Sequence, residues 1–389
     1  LKIALGNPVH VVEQASRFEL MRNWLIACTK SHKNCKRTVS NSEVERDEGV
    51  ILPSRVLDVG TTENPRLNLV LTTGQCGRYV ALSYCWGASA NVNLRTTKSN
   101  VETFTETITE KSLPRTIKDA VQVARELCIQ YLWVDSLCIV QDSEEDWRHE
   151  SRYMGRIFEN ALCTVAATSA QHCDEGLFIA KPVEDGQQLQ QNTASVSIPC
   201  VFEGVIYGSI FIDHLPDDGM DFDTDIANSR WNGRGWVVQE RILSRRIIHF
   251  ARNQLYWECQ QIEHRERSKR PINHRTRLLS KPAIFQKLVR ESTWFHTITD
   301  THHNLSTVRS SLIALKDKAR YMAGAASDLQ EKAPMLLLRF WPRIVTTFNC
   351  CELTYDNDKL AAIQGLAKSV ASLTSLTYFC GLWLEHPVK

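Results

Sequence analysis

Several residues have types and spacings suited to chemistry. Glu150 stands three residues after Trp147 and four before Met154, beside the apolar face of a predicted helix. A preorganised carboxylate there could stabilise the positive charge that develops on a sugar when an N-glycosidic bond breaks, without a metal. The more ordinary reading is a structural glutamate paired with Arg148, Arg152 or a neighbouring turn. Asp135 and Ser136 close a predicted buried strand. There they could orient a sugar hydroxyl and donate to a substrate oxygen, or cap neighbouring backbone N–H groups. Asp142 is read as a capping or first-turn charge.

Ser83, Tyr84, Trp86 and Gly87 follow another strand. Trp86 could stack on a planar ring, and Gly87 could let backbone approach a ligand; a packed aromatic beside a necessary turn explains the same letters. Cys85 and Cys138 read as buried thiols rather than nucleophiles. A second cluster holds Arg234, Trp236, Gln239, Glu240, Trp257 and Glu258. Trp236, Gln239 and Glu240 are spaced to share one helical face. They would either wall the pocket opened by Ser83 and Glu150 or, through an ion pair of Glu240 with Arg234 or Arg241, dock two layers. Cys28, His32 and Cys35 form C-x3-H-x2-C, three of the four ligands a structural zinc needs; His10 or Asp58 are candidates for the fourth. Helix-end packing is the alternative. His302 and His303 do not form H-E-x-x-H.

The elements that must position these residues follow from periodicity. YVALSYCWG at 79–87 predicts a strand and then a turn that ends at Gly87, and LPRTIKDAVQVARELC predicts a helix with Pro114 near its start. Its apolar face runs through Ile117, Ala120, Val121, Ala124, Leu127 and Cys128. YLWVDSLCI predicts a buried strand, Ser143 to Glu159 a helix, and LCTVAAT at 162–168 a further strand. This alternation argues for a parallel sheet with crossover helices, which places loops and ligands at the carboxyl ends of the strands. A helical lead runs through Phe18, Leu20, Met21, Trp24, Leu25 and Cys28. Strand-like stretches follow at 52–60 and 67–73, a hairpin at 195–212, a short helix at 236–242 and strands at 245–250 and 254–259. The stretches 36–49 and 180–200 read as polar links, and 275–380 as mostly helical.

The chain has 389 residues, 43% hydrophobic and 23% charged, which is ample for a buried core and more than one core usually organises. A net charge of +2 supplies no global field for nucleic acid or an anionic membrane. The local basic run His264–Arg270 is diluted by Glu263 and Glu266. Thirteen cysteines cannot pair completely, and several sit in apolar runs, so most are expected to be buried thiols in a reducing compartment. No signal-peptide pattern and no membrane-spanning apolar run is read, so an intracellular location, cytoplasmic or nuclear, is expected by elimination. GxxxxGK[ST] and G-x-G-x-x-G are absent, which argues against a P-loop nucleotidase and a dinucleotide-dependent dehydrogenase.

YVALSYCWG at 79–87, the run from LPRTIKDAVQ at 113 to CTVAAT at 168, RGWVVQERILSRRIIHF at 234–250 and YWEC at 256–259 together resemble the fungal heterokaryon incompatibility (HET) domain. WLIACTKSHKNC at 24–35 and LTYDNDKLAAIQGLA at 353–367 resemble segments that flank it. The resemblance implies a TIR-like parallel α/β core elaborated by β-strands and a mainly helical C-terminal region. The expected divisions are a lead and connector at 1–59, a HET-like domain at 60–260 and an extension at 261–389. It implies a role in non-self recognition or cell death. By analogy with NAD-cleaving TIR domains, whose helix context DWRHE resembles, it also implies NAD hydrolysis with Glu150 catalytic. Asp135 and Ser136 would assist, while Ser83, Tyr84, Trp86, Gly87, Trp236, Gln239 and Glu240 would line the substrate site. A secondary-metabolite enzyme with a deep apolar pocket and a non-enzymatic, self-associating module remain open alternatives.

Overall fold

The computed structural model describes residues 2–5, 14–35, 49–87, 94–178, 196–202, 205–213, 222–252, 254–266, 268–273, 341–342, 344–374 and 376–383. His10, His302, His303, the stretches 36–48 and 180–195 and the expected helices over 275–340 lie outside them.

The described elements begin with β1 (Lys2–Leu5), α1 (Gln14–Ser31), β2 (Val50–Ile51), β3 (Arg55–Gly60), β4 (Pro65–Leu71), β5 (Cys76–Gly77) and β6 (Tyr79–Ser83). They continue with α2 (Val101–Glu106), α3 (Arg115–Glu126), β7 (Tyr131–Trp133), α4 (Asp135–Cys138), α5 (Glu144–Asn160) and β8 (Cys163–Ala166). Beyond these come β9 (Val196–Phe202), β10 (Val205–Asp213), α6 (Phe222–Ala227), α7 (Gly235–Leu243), β11 (Arg246–Phe250), β12 (Leu255–Cys259), β13 (Ile262–Arg265) and β14 (Ser268–Asn273). A long helix, Lys359–Thr374, lies near the C-terminus.

The fold is mixed α/β. Nine strands form one sheet in the order β14-β13-β12-β11-β8-β6-β7-β3-β4, with β9, β10 and β1 in a separate sheet. The centre is parallel: β7 to β6, β6 to β8 and β8 to β11. Taken in chain order, these four strands lie 2-1-3-4, the doubly wound arrangement, and antiparallel strands extend both sides. The chain therefore reverses its direction across the sheet between β7 and β8. Right-handed crossovers then place α3 on one face and α5 and α7 on the other. Contacts agree. On the α3 face, Arg22 of α1 donates to the Glu126 carbonyl at 2.7 Å. On the other, α5 packs with α7 and with the Lys359–Thr374 helix.

The core follows the apolar periodicity. Phe18, Met21, Trp24, Leu25 and Cys28 of α1 are buried with the strands and α3 in one cluster. A second cluster joins Val238, Ile242 and Leu243 of α7 to Ile363, Leu366 and Val370 of the C-terminal helix. Gly155 of α5 and Gly365 meet where their helices cross; a Cβ on Gly155 would lie 2.7 Å from the Gly365 Cα.

Two local expectations change. The run 131–139 is a strand only to Trp133; Asp135–Cys138 form a helical turn whose Cys138 N–H returns to the Val134 carbonyl at 2.7 Å. Cys128, expected on the apolar face of α3, is exposed and leaves the helix at φ +58°, in the left-handed position that ends many helices.

Candidate functional site

Ser83 is the last residue of β6 and pairs with Ala166, the last of β8, so it stands where the strand order reverses. Ligands of doubly wound sheets bind at that place. Its hydroxyl donates to Glu240 Oε2 and accepts from the Trp231 indole N–H at 2.6 Å. The next residue, Tyr84, accepts at its carbonyl from Arg234 Nη1, and its hydroxyl donates to Ser136 Oγ at 2.9 Å. Trp86 donates from its ring nitrogen to Asp135 Oδ2 at 2.9 Å, and the Ser136 N–H caps Asp135 Oδ1 at 2.7 Å. Gly87 turns the chain at φ +87°, where a Cβ would lie 2.4 Å from His172 Cβ. The β6 exit, the α4 turn and α7 thus converge through side chains the sequence had singled out separately.

The electrostatics are unusual for a surface. Glu240 is 6% exposed, and burial lifts its carboxyl to about 7; Arg234 and the Ser83 hydroxyl pull it back, while Asp135 adds to the rise. Asp135 is half-buried, and desolvation raises it against the pull of Arg234 and the Trp86 N–H. Burial, then the Asp135 charge, pushes the Tyr84 phenol well above its ordinary value. Two carboxyls and one guanidinium carry a net negative charge once both acids ionise. That balance favours a reacting group on which positive charge develops.

Other predicted residues of α7 do not join this cluster. Trp236 donates to Asp358 Oδ2 at 3.1 Å, and Gln239 accepts from the Gly365 N–H at 3.2 Å, so both face the C-terminal segment. Arg241 pairs instead with Glu258 at 3.1 Å, and Glu258 also meets His249 Nε2 at 3.0 Å, all three fully buried. Asp142 accepts from the Lys98 N–H at 2.8 Å, while Ser143 caps α5 through the Asp146 N–H. Cys85 and Cys138 are buried thiols; burial raises Cys85 and drives Cys138 to about 12.

Glu150 sits in a different group. It is 2% exposed and receives the Ser54 hydroxyl on Oε1, with Arg55 Nη2 at 3.5 Å. Arg55 also donates to the Cys138 carbonyl at 2.7 Å and to Asp146 at 2.6 Å. Burial raises the Glu150 carboxyl; Ser54 and Arg55 oppose the rise. An open groove of about 760 Å³ runs beside it, lined by Arg55, Asp146, His149 and Arg152 among others. Arg148 pairs with Glu144 instead. The α4 turn stands between the two groups, with Asp135 at one end and the Cys138 carbonyl at the other, so Glu150 makes no contact with the Ser83 cluster. Ser54 and Arg55, which hold it, carried no signal in the sequence.

Cys28, His32 and Cys35 do converge, and the fourth member is Cys259 at the end of β12. All four are buried, and their donor atoms lie within 4.8 Å of one another, so the group could hold a metal such as zinc. Asp58 is elsewhere, accepting from the Gly60 N–H and Gln130 Nε2, each at 2.9 Å. Hydrogen bonding to Cys259 pushes Cys28 and Cys35 upward, Cys35 to about 12. Burial opposes ionisation of Cys259, yet hydrogen bonds from both cysteines and His32 bring it well below its ordinary value. Cys259 lay inside YWEC with nothing nearby to mark it as a ligand.

Residues 79–240 match the family model described as "Heterokaryon incompatibility protein (HET)". The matched stretch begins at β6 and ends on Glu240, so it spans the Ser83, Asp135, Arg234 and Glu240 group. Neither the curated proteins nor the solved structures contain a match to the chain. No described helix is long and apolar enough to cross a membrane.

Proposed function

We propose that this HET segment, with its TIR-like parallel core, hydrolyses the N-glycosidic bond of a nucleotide, with NAD the substrate to test, in a non-self recognition or cell-death response. The observation that carries the reading is the pair of carboxyls, Glu240 on the Ser83 hydroxyl and Asp135 on the Trp86 N–H, beside the end of β6 where the strand order reverses. When the bond to nicotinamide breaks, positive charge spreads over ribose C1 and its ring oxygen. Asp135, partly exposed beside Trp86, would stabilise that charge. Nicotinamide departs neutral and needs no proton. The attacking water must lose one, and Glu240, with its pKa about 7, suits a general base at neutral pH. The products would be ADP-ribose, nicotinamide and a proton.

A second seat for the same chemistry is Glu150, favoured by the open groove of about 760 Å³ beside it, a volume suited to small molecules. Its carboxylate is engaged by Ser54 and Arg55, as that of Glu240 is by Ser83. Incubation of the full chain with NAD, following nicotinamide release, separates the two. Release abolished by Glu240→Gln and kept by Glu150→Gln supports the Ser83 cluster. The reverse pattern moves the chemistry to the groove. No release from folded, wild-type chain overturns hydrolysis and leaves a self-associating module as the reading.

A further inference from the structure

We propose that Cys28, His32, Cys35 and Cys259 bind one structural zinc ion, that Arg246 balances its charge, and that the ion fastens α1 to the end of β12. Three sulfurs and one imidazole nitrogen are a donor set zinc prefers, and four protein ligands make a closed, non-catalytic site. Spacing supplies three of them. His32 follows Cys28 by one helical turn, its N–H on the Cys28 carbonyl at 3.2 Å, and a 3-10 turn over Lys33–Cys35 brings Cys35 back. Tetrahedral zinc with Zn–S of about 2.3 Å separates its sulfurs by about 3.8 Å. The observed limit of 4.8 Å, with Cys259 Sγ and His32 Nδ1 3.4 Å apart, needs only a small contraction.

Two independent features favour anionic sulfur here. The N–H groups of Gln261 and Ile262 both point at Cys259 Sγ, at 3.4 and 3.3 Å. A neutral thiol is a weak acceptor, whereas a metal-bound thiolate uses both. The second is Arg246, a guanidinium 1% exposed. Its hydrogen-bond partners among the described residues are Cys28 Sγ at 3.2 Å and the carbonyls of Cys35 and Leu162, none of them a carboxylate. A buried cation without an anion is strongly unfavourable. Zinc with three thiolates and one neutral imidazole carries a single negative charge, which Arg246 offsets. All four residues are buried, which keeps the site from water.

The test uses untagged full chain purified under reductant, with elemental analysis. About one zinc per chain is expected, falling to background in Cys259→Ser. Because that variant could fail to fold, wild-type chain exchanged with cobalt(II) provides a second readout: intense tetrahedral d–d bands with sulfur-to-cobalt charge transfer. Arg246→Gln should retain the metal but release it to a competing chelator with about 10–100-fold weaker affinity, the usual effect of losing an outer partner. Folded wild-type chain free of metal, iron in place of zinc, octahedral cobalt bands, or zinc kept at full stoichiometry by Cys259→Ser would each overturn the assignment. Unchanged affinity in Arg246→Gln would overturn the charge-balancing role.

Discussion

Glu240→Gln gives a measurable link between the Ser83 cluster and pH. The folded chain holds the Glu240 proton up to about 7, whereas an unburied glutamate loses it near 4.5. Between those values the folded state binds more protons than the unfolded one, so this group's contribution to stability falls as pH rises. The contribution is complete below about pH 4.5 and lost by about pH 7. At about 1.4 kcal/mol per pH unit, the gap corresponds to about 3 kcal/mol. The attraction of Arg234 is already contained in that net value, since it acts on the ionised form. Glutamine stays neutral, keeps an oxygen for the Ser83 hydroxyl and escapes the loss. Urea unfolding of both proteins from pH 4.5 to 8 should show the variant gaining about 3 kcal/mol on wild type across the series. Titrating groups that do not interact with Glu240 cancel in the difference; Asp135, whose charge adds to the Glu240 rise, is the coupled exception. A flat difference, or a variant that loses ground as pH rises, would refute the placement of Glu240 as a buried acid that keeps its proton up to about pH 7.

Glu258→Ala removes the carboxylate shared by two buried partners, Arg241 at 3.1 Å and His249 at 3.0 Å. It should cost about 3–5 kcal/mol in denaturant titration, the usual loss when a buried ion pair is broken. Gly155→Ala places a Cβ 2.7 Å from the Gly365 backbone, which cannot yield as a side-chain tip would. We expect about 1–3 kcal/mol of destabilisation by the same measurement, as α5 and the C-terminal helix are forced apart.

Much of the fold was legible because its elements are strongly periodic. Ile117, Ala120, Val121 and Ala124 are buried as their spacing predicts, and the mainly apolar strands at 79–83 and 163–166 are buried along their whole length, as suits a sheet covered on both faces. The site was legible only in part. Three members of the Cys/His group, Cys28, His32 and Cys35, lie close in sequence and show a pattern; Cys259 arrives through β12 and shows none. The i, i+3, i+4 rule grouped Trp236, Gln239 and Glu240, yet the C-terminal helix packs against α7 and takes Trp236 and Gln239, leaving Glu240 alone to face Ser83. Glu150 was correctly placed beside an apolar helix face, where the structure buries it. Its partners come from the start of β3, a tertiary neighbour that helix spacing cannot disclose.

The parallel pairing of β11 with β8 sets where this chain can be cut for study. A fragment ending at Glu240 removes β11, and the backbone of β8 that hydrogen-bonds to it becomes an open edge of the sheet. Open edges recruit strands from other molecules. The same cut takes away Arg246, Cys259 and Gly365, whose N–H donates to Gln239. For recombinant work, we expect a piece that runs from α1 past β12 and carries the Lys359–Thr374 helix to keep that edge covered, and association confined to a fragment ending at Glu240 to reflect the exposed strand.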